Sequence, residues 1–170
     1  MPTRTRGLYP VHLHAEHTGR VTFRGHGNAI TVSALGDSFY EYLLKCWLQA
    51  GGGSASAPAH AQQYLRMYRD AANAILRHLY VPAVPSQRAT GGGWAYVGSS
   101  LPSGFLPRMD HLACFLPGML ALGVHRGAVT GKDAARHLAA AKDLAETCVQ
   151  VQCAVCGRWP LCDGVLRLWQ

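Results

Sequence analysis

The stretch Gly36-Asp37-Ser38-Phe39-Tyr40-Glu41-Tyr42-Leu43-Leu44-Lys45-Cys46-Trp47-Leu48-Gln49-Ala50 decides the fold class. Ser38 followed by Glu41 fits a capping box, so a helix is expected to begin near Asp37 with Ser38 as its N-cap. Phe39, Leu43, Cys46, Trp47 and Ala50 recur at helical spacing, and Leu44 and Leu48 make the opposite side apolar too. A helix that is hydrophobic nearly all round belongs in a core.

Outward from that helix the chain alternates helices with loops. Gly51 to Pro58 is a Gly/Ser/Ala-rich connector. A second helix is expected over about residues 59–80, with Ala61, Leu65, Tyr68, Ala72, Ile75 and Leu79 on one face. Val81 to Arg108 reads as a long Pro/Gly-rich loop, with Trp94-Ala95-Tyr96-Val97 extended inside it. A third helix follows Asp110, and Pro117 should kink it or end its first section. A fourth is expected over about residues 132–152, with Leu138, Ala141, Ala145 and Cys148 on one face. Upstream, turns at His17-Thr18-Gly19 and Gly25-His26-Gly27 suggest short strands, with a hairpin carrying Val21 to Arg24. No βαβ rhythm appears, so the class is all-α with minor β.

Composition excludes several functions. The chain has 170 residues, 49% hydrophobic and 15% charged, too apolar for a disordered segment. The net charge of +7 comes from scattered residues, mostly Arg, without runs or aromatic interleaving, so no nucleic-acid partner is expected. No apolar stretch is long enough to span a bilayer and no signal peptide is visible, so any membrane attachment would come through an N-terminal anchor missing from this chain. Of the six cysteines, Cys153, Cys156 and Cys162 form C-x2-C-x5-C. A second pair at zinc-site spacing is absent, and free or structural cysteines are the plainer reading.

Among only nine acidic residues, Asp37, Glu41 and Asp110 stand out. Asp37 and Glu41 share a helix face, and Asp110-His111 opens another helix. Capping and the helix dipole explain carboxylates at such places as well as chemistry does. Residues alone leave both readings open.

A resemblance adds a direction. Ile30 to Lys45 closely resembles the signature segment of class I α-mannosidases, glycoside hydrolase family 47. Met109-Asp110-His111-Leu112-Ala113-Cys114-Phe115-Leu116-Pro117-Gly118-Met119-Leu120-Ala121-Leu122-Gly123 resembles a second family block. Thr147-Cys148 and Gly7-Leu8-Tyr9-Pro10 match shorter ones, in family order and spacing. The resemblance covers roughly Gly7 to Val149. It implies an (αα)7 barrel of helical hairpins, of which residues 1–150 would be a part. It also implies a Ca2+-dependent inverting hydrolase acting on α-1,2-linked mannose of high-mannose N-glycans, in the endoplasmic reticulum or Golgi lumen.

Carried over residue by residue, Asp37 is similar to one of the catalytic carboxylates. His111 and Asp110 resemble walls of the mannose pocket, and Cys114 and Cys148 resemble the family disulfide. Leu35 stands where broadly trimming Golgi-type members carry Leu and endoplasmic-reticulum members carry Arg; Met109-Asp110-His111 and Leu116-Pro117-Gly118 look more like the latter. The family's later motifs, with its proposed base and a calcium-binding Thr, have no counterpart here. Residues 151–170 resemble no part of the family and read as a divergent tail. The chain is therefore expected to be an internal fragment, inactive by itself, with Phe39, Leu43, Leu44, Trp47, Leu48, Phe115, Leu116 and Leu120 left exposed. A non-catalytic glycan-binding or quality-control relative is the alternative, which retention of Asp37 and His111 disfavours.

Overall fold

The structure, a computed structural model, describes residues 6–12, 14–22, 29–54, 56–90 and 93–156. Four α-helices form its body: α1 Asp37–Gln49, α2 Ala59–His78, α3 Leu116–His125 and α4 Gly131–Cys156. Three short antiparallel pairs decorate it. β1 (His14–Ala15) pairs with β2 (Val21–Thr22), β3 (Tyr80–Val81) with β4 (Tyr96–Val97), and β5 (Ser99–Leu101) with β6 (Gly104–Leu106). The expected all-α class with minor β is what the chain adopts. The β1–β2 pair falls inside the expected hairpin, whose Phe23 and Arg24 lie outside the described residues.

α1 starts two residues earlier than a Ser38 cap would place it. Its N-cap is Gly36, and Ser38 makes no capping bond. The Ser33 carbonyl accepts from both Gly36 N–H and Asp37 N–H at 3.0 Å, so the preceding turn already supplies the first bonds. Glu41 turns away from the N-terminus to pair with Lys45 at 2.8 Å. Nor is α1 buried all round. Tyr40, Leu43, Leu44 and Trp47 are buried, while Phe39 and Tyr42 keep 42% and 56% of their surface. The helix is one-sided, with that side laid mainly on α2.

The α2 face read from the sequence is buried throughout: Ala61, Leu65, Tyr68, Ala72, Ile75 and Leu79. Small neighbours Ala71 and Ala74 are buried with them. The tightest point is Tyr68, whose hydroxyl donates to the Met119 carbonyl of α3 at 3.1 Å. Gly123 allows this approach, because a Cβ there would lie 2.0 Å from the Tyr68 oxygen.

Asp110 opens a 3-10 turn, His111–Phe115, which passes directly into α3 at Leu116. Pro117 sits in the first turn of α3, where its missing N–H costs nothing. The 3-10 section ends just before it, as one of the two expectations for Pro117 had it, and α3 begins there instead of kinking. α4 pairs chiefly with α3. Its buried residues are His137, Ala140, Ala141, Leu144 and Thr147, whereas Leu138 stays 46% exposed. The apolar face expected through Leu138 is thus turned by one residue, about 100°. The turn follows from a polar contact: His137 Nε2 lies 3.0 Å from Asn73 Oδ1 of α2.

The expected exposure of the apolar helix residues is corrected too. Leu43, Leu44, Trp47, Leu116 and Leu120 are buried within this chain, and Leu48 and Phe115 are partly covered. Phe39 alone of that set is exposed. α1 packs on α2 and on α3, so each shields the others.

His137 gives the fold a pH dependence. Among the described residues its Nδ1 has no partner, and Asn73 Oδ1, facing Nε2, also takes the Arg136 guanidinium. Burial, then Arg136, lowers the imidazole pKa from its ordinary 6.5, against a smaller opposing pull from Asp133. A depressed His pKa means the unfolded chain binds the extra proton first as pH falls. The stabilisation is complete above about pH 6.5 and is lost as pH falls towards the folded-state pKa. Thermal unfolding from pH 7.5 to 5 should show a falling Tm, and His137→Gln, which keeps a neutral donor, should flatten that fall.

Candidate active site

Every candidate site residue sits in a short segment before or at a helical start. Thr31 to Gly36 forms a tight turn before α1. Thr31 and Ser33 are buried, and Thr31 Oγ1 accepts the Ser33 N–H at 3.0 Å. The chain then folds back so closely that a Cβ on Gly36 would lie 2.1 Å from the Thr31 carbonyl oxygen. Leu35, at the tip, is the one described non-glycine residue with positive φ, at 76°. That is an unfavourable conformation for a bulky L-residue. Its side chain is 72% exposed, so the strain is not repaid by burial. Asp37 follows, half-buried, its Oδ1 accepting the Ser38 N–H at 2.8 Å.

Asp110 is the N-cap of the 3-10 turn, and its Oδ1 accepts the Leu112 N–H at 2.9 Å. The capping role considered from the sequence is thus real for Asp110. Its neighbour His111 is exposed and Asp110 half-buried. Each carboxylate commits one oxygen to local backbone; among the described residues the second oxygen of each has no hydrogen-bond partner.

The two segments hang from one small sheet. Ile30 bridges Ser100 of β5 through N–H···O bonds of 2.8 and 2.9 Å. Ser99 Oγ donates to Thr31 Oγ1 at 2.8 Å. β6, the partner of β5, leads through Arg108 into Asp110. The helix begun by Asp37 also packs against the 3-10 turn begun by Asp110. Leu35 and Asp37 therefore share one turn, Asp110 and His111 another, and both turns are anchored on β5–β6.

Other contacts hold this end in place. Cys114 and Cys148 form a disulfide with Cα atoms 5.9 Å apart, tying the 3-10 turn to α4. Beside it Thr147 Oγ1 donates to the Ala95 carbonyl at 2.6 Å, fixing the loop before β4. Tyr40 accepts Tyr9 N–H at 3.0 Å and donates to the Tyr9 carbonyl at 3.3 Å, so Tyr9 is held on α1. Burial pushes the Tyr40 phenol up to about 12, which keeps it a neutral donor. Sequence reading passed over Thr31, Ser99 and Thr147 as scaffold roles, because a hydroxyl with a distant partner leaves no local pattern.

Among the described residues, no three His, Cys, Asp or Glu side chains are grouped to hold a metal ion. The Cys153, Cys156 and Cys162 side chains lie outside the described residues.

Asp37 and Asp110 each stand at a helical start with one oxygen uncommitted, an arrangement open to acid–base chemistry as well as to capping. Residues 1–160 match Glycosyl hydrolase family 47, and the chain belongs to that family. The match extends into the 151–170 segment, as does α4, which continues to Cys156. The chain is 37% identical over 145 residues to the human endoplasmic reticulum mannosyl-oligosaccharide 1,2-alpha-mannosidase, covering 85% of this chain and 18% of that protein. It is 37% identical over 162 residues to a mannosyl-oligosaccharide 1,2-alpha-mannosidase of Arabidopsis thaliana, covering 87% and 23%. Against the mouse mannosyl-oligosaccharide 1,2-alpha-mannosidase IB it is 37% identical over 146 residues, covering 85% and 19%. The chain thus spans about a fifth of the length of these relatives.

The disulfide closes a loop with a sequence separation of 34. A loop of that size is worth about 3–4 kcal/mol by chain entropy. Reduction, or Cys148→Ser, should lower the unfolding midpoint by several degrees, and mass mapping without reductant should find Cys114 and Cys148 linked.

Proposed function

We propose that the protein carrying this chain removes terminal α-1,2-linked mannose from high-mannose N-glycans, with inversion, in the lumen of the endoplasmic reticulum or Golgi. The observation that carries the reading is the placement of Asp37. It is half-buried, at the start of a packed helix, with one oxygen held by backbone and the other uncommitted. An inverting hydrolase needs two such carboxyl groups about 6.5–9.5 Å apart, one to protonate the leaving oxygen and one to activate a water. Asp37 is assigned one of these roles. The second belongs to a part of the protein outside this chain, in keeping with the fifth of its relatives' length that the chain spans.

Asp110 and His111 are assigned to the pocket wall. The exposed imidazole can donate to or accept from a sugar hydroxyl, and Asp110 offers its free oxygen as an acceptor. Leu35, held outward beside Asp37, gives the site an apolar rim. An Arg there would supply fork-like donors and select one glycan branch, so Leu supports trimming of several. The ion of this family would be held by residues elsewhere in the protein.

The decisive substitution is Asp37→Asn in the length of the protein that turns over an α-1,2-linked mannobiose. It should lower kcat by about 100- to 10,000-fold, since an amide neither exchanges the proton nor carries the charge. A near-normal kcat removes Asp37 from the catalytic pair, and unaltered glycan binding with no turnover in the wild type would favour a glycan-binding role. Residues 1–170 alone should release no mannose from the same substrate, with or without added calcium, because the second catalytic carboxyl group is assigned to a part of the protein outside this chain.

A further inference from the structure

We propose that the Thr31 hydroxyl, set by Ser99, is the positioning group that aims Asp37, an inference that rests on the catalytic reading of Asp37 above. The case is a continuous line of hydrogen bonds. Ser99 Oγ, on β5, donates to Thr31 Oγ1 at 2.8 Å. Thr31 Oγ1 also accepts the Ser33 N–H at 3.0 Å, which fixes the Ser33 peptide. The Ser33 carbonyl, in the next peptide unit of the same buried residue, accepts the Gly36 and Asp37 N–H groups, both at 3.0 Å. Thus the backbone of Asp37 is linked to the β5–β6 sheet through the Ser99 and Thr31 hydroxyls, beside the Ile30–Ser100 backbone pair.

The surroundings give the line little freedom to relax. Thr31 and Ser33 are buried, so a lost bond there is not replaced easily by water. Gly36 lies against the Thr31 carbonyl, with no room for a Cβ. Leu35, between Ser33 and Gly36, is held at φ 76°, a conformation the chain would leave if the turn were loosened. Removing the hydroxyl should therefore let the turn relax towards a less strained Leu35 and swing the start of α1. A carboxylate that must meet a reacting oxygen loses rate steeply on displacements of about 1 Å. The Thr31 side chain is buried, and its hydroxyl is engaged by Ser99 and the Ser33 N–H, so its assigned role is positioning.

The experiment compares Thr31→Val, Thr31→Ser and Asp37→Asn in the length of the protein that turns over α-1,2-mannobiose. Thr31→Val keeps the shape and removes the acceptor. Its kcat should fall about tenfold or more, with KM within about twofold, because misaim affects the transition state more than binding. Thr31→Ser should restore most of the rate, which a purely packing role of the γ-methyl would not allow. Amide hydrogen exchange at Ser33, Gly36 and Asp37 should quicken in Thr31→Val and not in Thr31→Ser. Should Thr31→Val fail to fold, Ser99→Ala removes the donor from the half-buried end of the same line and should lower kcat in the same sense. An unchanged kcat in Thr31→Val, or a Thr31→Ser as slow as Thr31→Val, overturns the proposal. Full activity in Asp37→Asn overturns the catalytic reading itself, a result separable from the failure of Thr31 alone.

Discussion

The contact between Tyr68 of α2 and Gly123 of α3 is the constraint on which the arrangement depends. α2 packs against α1 and α4, and its Tyr68 reaches into α3, so its distance from α3 sets where the others lie. A side chain at position 123 would collide with the Tyr68 ring and hydroxyl. The hydroxyl is buried and bonded to the Met119 carbonyl, and burial pushes its pKa up, which keeps it a neutral donor at any ordinary pH. Close by, Arg69 Nε donates to the Ala128 carbonyl at 2.5 Å, joining α2 to the turn between α3 and α4. Together these bonds fix α2 on α3 both along and across the helices.

The candidate site depends on that body without being part of its core. Its residues sit on turns, and each turn is joined to a rigid element by a small number of specific bonds. Ile30 and Thr31 hold to β5. The 3-10 turn holds to α4 through the disulfide, and the loop before β4 holds to the same helix through Thr147. α4 thereby braces two separate loops within two adjacent residues. This is a common division of labour: packed helices provide stiffness, and the loops they restrain carry the reactive groups.

Much of this was legible in the sequence, for reasons that also explain the misses. The face of α2 was readable because six apolar residues repeat at helical spacing and all of them turn inward. The face of α4 was misread by one residue because the pattern is rich in alanine, which marks no side strongly. What fixed its rotation was His137 meeting Asn73 of another helix, a pairing that no local period records. The Ser38 capping box failed similarly. Ser38 and Glu41 stand at the right spacing, but the Ser33 carbonyl satisfied the first donors and left Glu41 free for Lys45. The candidate site residues were read from the motifs around Asp37 and Asp110. The hydroxyl line from Ser99 to Asp37 was not, since its members lie far apart in the chain and only folding brings them together.

The geometry also changes how the two readings of a carboxylate at a helix start relate to each other. From the sequence, capping and catalysis stood as alternatives for Asp37 and Asp110. In the folded chain a backbone bond occupies one oxygen in each case, at 2.8 and 2.9 Å. Such a bond restricts rotation of the carboxylate and sets the direction of the second oxygen. An acid or base that must work at a fixed point on a sugar gains from that restriction, because orientation settled before the substrate arrives need not be established at the transition state. What separates Asp37 from an ordinary helix-start residue is the turn that leads into it, where Thr31 is buried and Leu35 strained, features that a helix start alone does not need.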